Sequence, residues 1–97
     1  MKTYTICGSM RFEKEMQQVA YYLESQRGYN ILQCTYSVVG IKPSTEELYA
    51  IELAHYHKID MSDGIYVLNI DGYIGESVRK EIDYAQRHNK EVIYHSN

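Results

Sequence analysis

Tryptophan is absent from this sequence, phenylalanine and proline occur once each, and cysteine occurs only twice among 97 residues. Two cysteines cannot build the disulfide framework of a small secreted domain. With no apolar block behind Met1 to act as an export signal, they are expected to be reduced thiols in the cytoplasm. No apolar run approaches the roughly 20 residues that span a bilayer, so no membrane-spanning helix and no membrane partner are expected. A strong charge of one sign is missing too. Ten basic side chains against thirteen acidic ones leave a formal net charge of −3. Neither nucleic acid nor an anionic membrane surface is therefore expected as a partner, although Arg11 remains a local basic spot. No repeat, linker or low-complexity segment divides the chain, and residues 1–97 are expected to form one domain with a single core.

Tyrosine is what the chain has in excess, with eleven residues. Its ring combines an apolar face with a polar tip, which suits half-buried positions, oligomer interfaces and pockets that stack a base. Small size and the tyrosine load together point to a homo-oligomer, a dimer or higher.

Strand and helix patterns alternate along the chain. Thr3 to Cys7 is a short β-rich run that ends at Gly8-Ser9. Phe12, Met16, Val19 and Leu23 then recur at helical spacing, and Gly28 closes that helix. Tyr29 to Cys34 reads as a second strand, followed by an irregular stretch. Ser44 has the character of an N-cap and Glu47 that of its capping-box partner, and the second helix runs to about Asp60. Gly64 to Ile70 is nearly continuous in apolar residues, as a central parallel strand covered on both faces requires. A Gly-bearing loop, a third helix with Val78, Ile82 and Ala85 on one face, and the strand Glu91 to His95 complete a βαβαβαβ order. Right-handed crossovers turn that order into an open, doubly wound parallel sheet of the flavodoxin-like or Rossmann-like kind, with strand order 2-1-3-4. Ligands of such sheets bind beyond the carboxyl ends of the strands, where the order reverses. The loops following Cys7, Cys34 and Asn69 converge there.

Three constellations fall on or near those loops. Gly8, Ser9 and Arg11 follow the first strand: Gly8 permits a tight turn, the amides after it face a helix start, and Ser9 with Arg11 suits an anion such as phosphate. The same residues also serve as an ordinary strand-to-helix turn with a serine cap. On the second helix, Leu48, Ile51, Glu52, His55 and Ile59 share a stripe, so Glu52 and His55 interrupt a face that should pack on the sheet. Buried polar groups of that kind either satisfy each other or open toward a cavity. In the last loop, Gly75 and Ser77 can bring backbone close to a ligand, and Glu81 lies about one turn further along. Glu81 is either a reactive carboxylate or a complement to the helix dipole. Asn69 and Asp71 can bind ligand hydroxyls or cap the turn. His57, His88 and His95 read as surface or strand-end residues, and no pair has metal-ligand spacing. Cys7 and Cys34 end strands expected to be neighbours and read as inert, small apolar residues.

Three segments carry a family resemblance: "YTICGSMR", "HKIDMSDGIYVLN" and "GYIGESVRKEIDYAQRHNKEVIY". Taken in order they cover nearly the whole chain and resemble the nucleoside 2-deoxyribosyltransferase-like superfamily, including its deoxynucleoside 5′-monophosphate N-glycosidase branch. The resemblance implies a Cys-Gly-Ser-x-Arg loop that cradles the nucleotide phosphate and a glutamate nucleophile, which falls on Glu81. Two positions depart from the family pattern. Where members carry an acidic residue on the second helix this chain has His55, and the tyrosine of the family's first strand falls on Thr5. The family's C-terminal extension, which helps complete a neighbouring subunit's site, has no counterpart in this sequence.

The chemistry implied is cleavage or transfer at the N-glycosidic bond of a nucleoside or its 5′-monophosphate. Glu81 would attack the anomeric carbon and form a glycosyl-enzyme, with release by water or by a second base. His55 would serve as acid/base, since imidazole as a class exchanges protons near neutral pH. Gly8, Ser9, Arg11, Asn69, Asp71, Gly75 and Ser77 would hold phosphate and sugar, with tyrosines stacking on the base. Neither a metal nor an organic cofactor is needed. The alternative is a nucleotide-binding or sensing module of the same fold that has lost the chemistry.

Overall fold

The computed structural model describes residues 1–96. Four parallel strands form one sheet: β1 (Thr3–Cys7), β2 (Asn30–Leu32), β3 (Gly64–Val67) and β4 (Glu91–Tyr94). Their order is β2-β1-β3-β4, as expected from the alternation of elements. The connecting helices are α1 (Glu13–Arg27), α2 (Thr45–Asp60) and α3 (Glu76–Arg87). Helix α1 covers one face, where Met16, Ala20 and Leu23 pack on Tyr4, Ile6 and Ile31. Helices α2 and α3 cover the other, where Ile59, Val78 and Ala85 pack on Cys7, Ile65 and Val67. Alternation along β1 produces this division, because successive side chains of a strand point to opposite faces.

Local signals set the helix ends. Gly28 takes a left-handed conformation at the end of α1, and its N–H donates to the carbonyl of Leu23. At the start of α2 the Ser44 hydroxyl accepts from the Glu47 N–H while the Glu47 carboxylate accepts from the Ser44 N–H, the reciprocal pairing expected from the sequence. Strands are shorter than their apolar runs. The second ladder ends at Leu32 rather than Cys34, and the third at Val67 rather than Ile70. Chain direction changes beyond those points: Gln33 is held by its carbonyl, which accepts from Lys58 Nζ at 2.7 Å, and residues 70–72 wind into a 3-10 turn.

The stripe expected on α2 is only partly packed. His55 and Ile59 are buried, but Leu48 is 53% exposed and Glu52 faces solvent. The cause is the length of the helix relative to the sheet. His55 already touches Cys7, the last residue of β1, so every α2 residue before His55 lies beyond the sheet's carboxyl edge. Leu48, Tyr49 and Leu53 stay exposed there. Among the described residues, no helix is long and apolar enough to cross a membrane.

Thr5, at 0% exposure, spends its hydroxyl on Ser62 Oγ at 2.7 Å beneath α2. Tyr4 points to the opposite face and donates to Glu91 Oε1 at 2.7 Å. Burial first, then the Glu91 carboxylate, pushes the Tyr4 phenol well above its ordinary range. Burial likewise pushes the Cys7 thiol up, assisted by the nearby Glu81 carboxylate. Both groups keep their protons in the fold and release them from the unfolded chain. Their contribution is complete below the unfolded thiol's value of 9.0 and is lost as pH climbs from there toward the folded values. Denaturant unfolding should therefore show stability declining above about pH 9. Cys7 adds a slope of about 1.4 kcal/mol per pH unit. Cys7→Ala should flatten the first part of that decline.

Candidate active site

β1 and β3 are adjacent strands whose crossovers leave on opposite faces, α1 on one side and α3 on the other, so a crevice opens beyond Cys7 and Val67. A cavity of about 600 Å³ occupies it. Its walls come from the loop after β1 (Gly8 to Met10), the loop after β2 (Cys34 to Val38), the exposed half of α2, and the start of α3. That volume is in the range of small-molecule sites.

His55 and Glu81 meet on the wall of this cavity, with Nε2 at 3.2 Å from Oε1. Both are largely buried, their side chains 11% and 14% exposed. A carboxylate only accepts, so the imidazole proton lies on Nε2. Beneath them Cys7 Sγ approaches the same nitrogen at 3.5 Å and leans toward the Thr5 carbonyl at 3.8 Å. Cysteine and glutamate thus share one ring nitrogen. A nucleophilic thiol activated by histidine needs the orienting carboxylate on the other nitrogen. Here that atom, His55 Nδ1, is buried and has no hydrogen-bond partner among the described residues. The raised Cys7 thiol argues against a resting thiolate as well.

Gly8, Ser9, Gly75 and Ser77 line the same cavity as His55 and Glu81. Gly8 is favoured by packing and not by turn geometry: a Cβ there would lie 2.9 Å from Met16 Sδ and 3.3 Å from Leu68 Cβ, so the Met16 side chain would have to shift. The Ser9 oxygen accepts from the Arg11 N–H at 3.3 Å and caps the short turn Met10–Phe12. No side chain caps α3 at Gly75, which leaves the first amides of that helix for solvent or an anion.

Three expected residues lie elsewhere. Arg11 stacks on Tyr73, its Cζ 3.9 Å from the ring centre, and donates from Nη2 to the Tyr73 hydroxyl at 3.2 Å. Tyr73 itself lines the cavity, so Arg11 stands one side chain outside it. Asn69 clamps the chain end, donating from Nδ2 to the Ser96 carbonyl at 2.9 Å and accepting the Ser96 N–H at 2.8 Å. Asp71 is an exposed turn residue with a φ of 54°. Glu52 reaches only the cavity rim, from the exposed side of α2. His57, His88 and His95 are exposed, His88 bonded to the Tyr84 carbonyl and His95 to the Tyr66 hydroxyl.

The sequence reading did not place Cys7 in the site. Its position one residue before Gly8, on the face of β1 that α2 covers, is the signal that could have done so.

Fold and site together define a small, open parallel α/β domain with a largely buried histidine–carboxylate contact at its topological switch point. Comparison of the chain with protein-family models, with curated proteins and with solved structures finds no match.

Proposed function

We propose that this domain acts on the N-glycosidic bond of a nucleoside or its 5′-monophosphate, as the resemblance of its three segments to the nucleoside 2-deoxyribosyltransferase-like superfamily implies. The observation that carries the reading is the Glu81–His55 pair on the wall of a nucleotide-sized cavity that the Gly8–Ser9 loop and the uncapped start of α3 also line. Glu81 is the nucleophile toward the anomeric carbon, forming a glycosyl ester as the base departs; water or a second base then takes the sugar. His55, carrying its proton on Nε2, orients Glu81 in the free protein and is the nearest donor to a leaving base. The phosphate lies against the Ser9 loop and the α3 amides, with Arg11 one side chain outside the cavity behind Tyr73, and Tyr36, Tyr56 and Tyr73 offer rings to the base. Exposed Val38, Ile41 and Leu48 at this cavity supply apolar surface on which a second copy would assemble. Chromatographic detection of free base, comparing the native chain with Glu81→Gln, tests the reaction.

One observation favours a binding module that lacks turnover. The carboxyl pairs of retaining glycosidases stand about 5–5.5 Å apart, whereas His55 and Glu81 are in direct contact. Catalysis therefore needs the imidazole to release Glu81 when a substrate enters. A thermal-shift series of nucleosides, monophosphates and dinucleotides followed by product analysis separates the two readings. Both expect stabilisation of about 2.7 kcal/mol at a hundredfold excess of ligand over its Kd. Only the enzyme yields free base.

A further inference from the structure

Cys7, His55 and Glu81 come from β1, α2 and α3, and the ligand atom of each lies within 4.8 Å of the others. The two contacts shared by His55 Nε2 measure 3.2 Å to Glu81 Oε1 and 3.5 Å to Cys7 Sγ. Around a tetrahedral zinc ion with bonds of about 2.0–2.3 Å, the nitrogen–oxygen edge is about 3.3 Å and the sulfur–nitrogen edge about 3.6 Å. The free protein already holds both contacts of His55 at nearly those separations, and the remaining pair, Cys7 and Glu81, stays within 4.8 Å. The geometry points to a site for a borderline-soft divalent ion of the zinc class, with Cys7, His55 and Glu81 as its three protein ligands. The fourth position opens toward the cavity, because His55 and Glu81 line it while Cys7 closes the floor.

Thiolate, imidazole and carboxylate form the donor set that zinc prefers, whereas magnesium and calcium call for oxygen ligands throughout. Loading is an exchange of protons for the ion. The thiol proton leaves to solvent, the imidazole proton moves from Nε2 to Nδ1, and the thiolate and carboxylate together balance the charge of the ion. A single proton is released per ion, and the buried cluster carries no net charge. A loaded ion occupies the carboxylate assigned above as nucleophile, so it holds the domain in a form that cannot attack a sugar. Binding of the ion does not depend on that assignment.

The test uses the purified chain with zinc and, as an optical probe, cobalt(II). Zinc should bind at one ion per chain. Calorimetry in buffers of different ionisation enthalpy should report one released proton, and cobalt should give intense tetrahedral d–d bands with a thiolate-to-metal band. Cys7→Ser should remove the thiolate band and weaken zinc by more than the roughly 10–100-fold that loss of an outer-sphere partner costs. Glu81→Gln, which preserves shape, should weaken zinc while keeping the thiolate band, and circular dichroism confirms that each variant is folded. Failure of zinc to bind, a six-coordinate cobalt spectrum, or equal zinc affinity of folded Cys7→Ser and the native chain overturns the site. These readouts are independent of base release. A chain that binds zinc but releases no base in its metal-free form refutes only the glycosidic reading, and one that turns over without binding zinc refutes only the metal site.

Discussion

Glu81→Gln is expected to lower release of free base by three orders of magnitude or more, about 4 kcal/mol of lost barrier reduction. The amide keeps the length and planarity of the side chain. Its oxygen can still accept from His55 Nε2, so the wall of the cavity keeps its shape. What it loses is the charged oxygen that bonds to the anomeric carbon and stabilises the positive charge developing there. Nucleotide affinity should change little, because the proposed phosphate contacts come from the Ser9 loop and the start of α3. Equal rates in variant and native chain would remove Glu81 from the role of nucleophile.

Gly64→Ala is expected to cost about 3 kcal/mol of folding stability, the upper part of the range for overpacking. For a domain of this size that corresponds to a thermal midpoint lower by roughly 15 °C. A Cβ at this position would run into the carbonyl oxygen of Glu91 and lie 2.8 Å from its Cβ. Gly64 pairs with Glu91 in the ladder between β3 and β4, so the strain falls on backbone that has no rotamer to yield. Tyr4 makes its hydrogen bond to the same Glu91, and a displaced β4 would break that link too. Calorimetry of the variant checks this. An unchanged midpoint would show that the two strands can separate at that end without loss.

Much of this architecture was legible in the chain. The capping box of Ser44 and Glu47, the left-handed Gly28 and the alternation of strand and helix are local signals, read over a few residues, and they reappear in the elements. Strand ends were less legible. Cys34 and Ile70 are as apolar as a strand requires, and only contacts from Lys58 and the 3-10 turn at residues 70–72 end the ladders before them. Along α2 the stripe gave His55 its buried position, but periodicity carries no information on where the sheet stops. Leu48 and Glu52 consequently read as covered when they lie beyond its edge.

Local sequence was sufficient for the order of strands, the helix caps and the burial of His55, because propensity, capping and crossover handedness act over short stretches of chain. The meeting of Cys7 with His55 and Glu81 was not encoded at that range. These residues are separated by 48 positions in one case and 26 in the other, and no spacing rule links them. Packing of α2 and α3 against one face of the sheet brings them together, and the same packing leaves Arg11 outside the cavity on Tyr73. The identity of a side chain is a property of the chain, whereas the partner it touches follows from how whole elements stack.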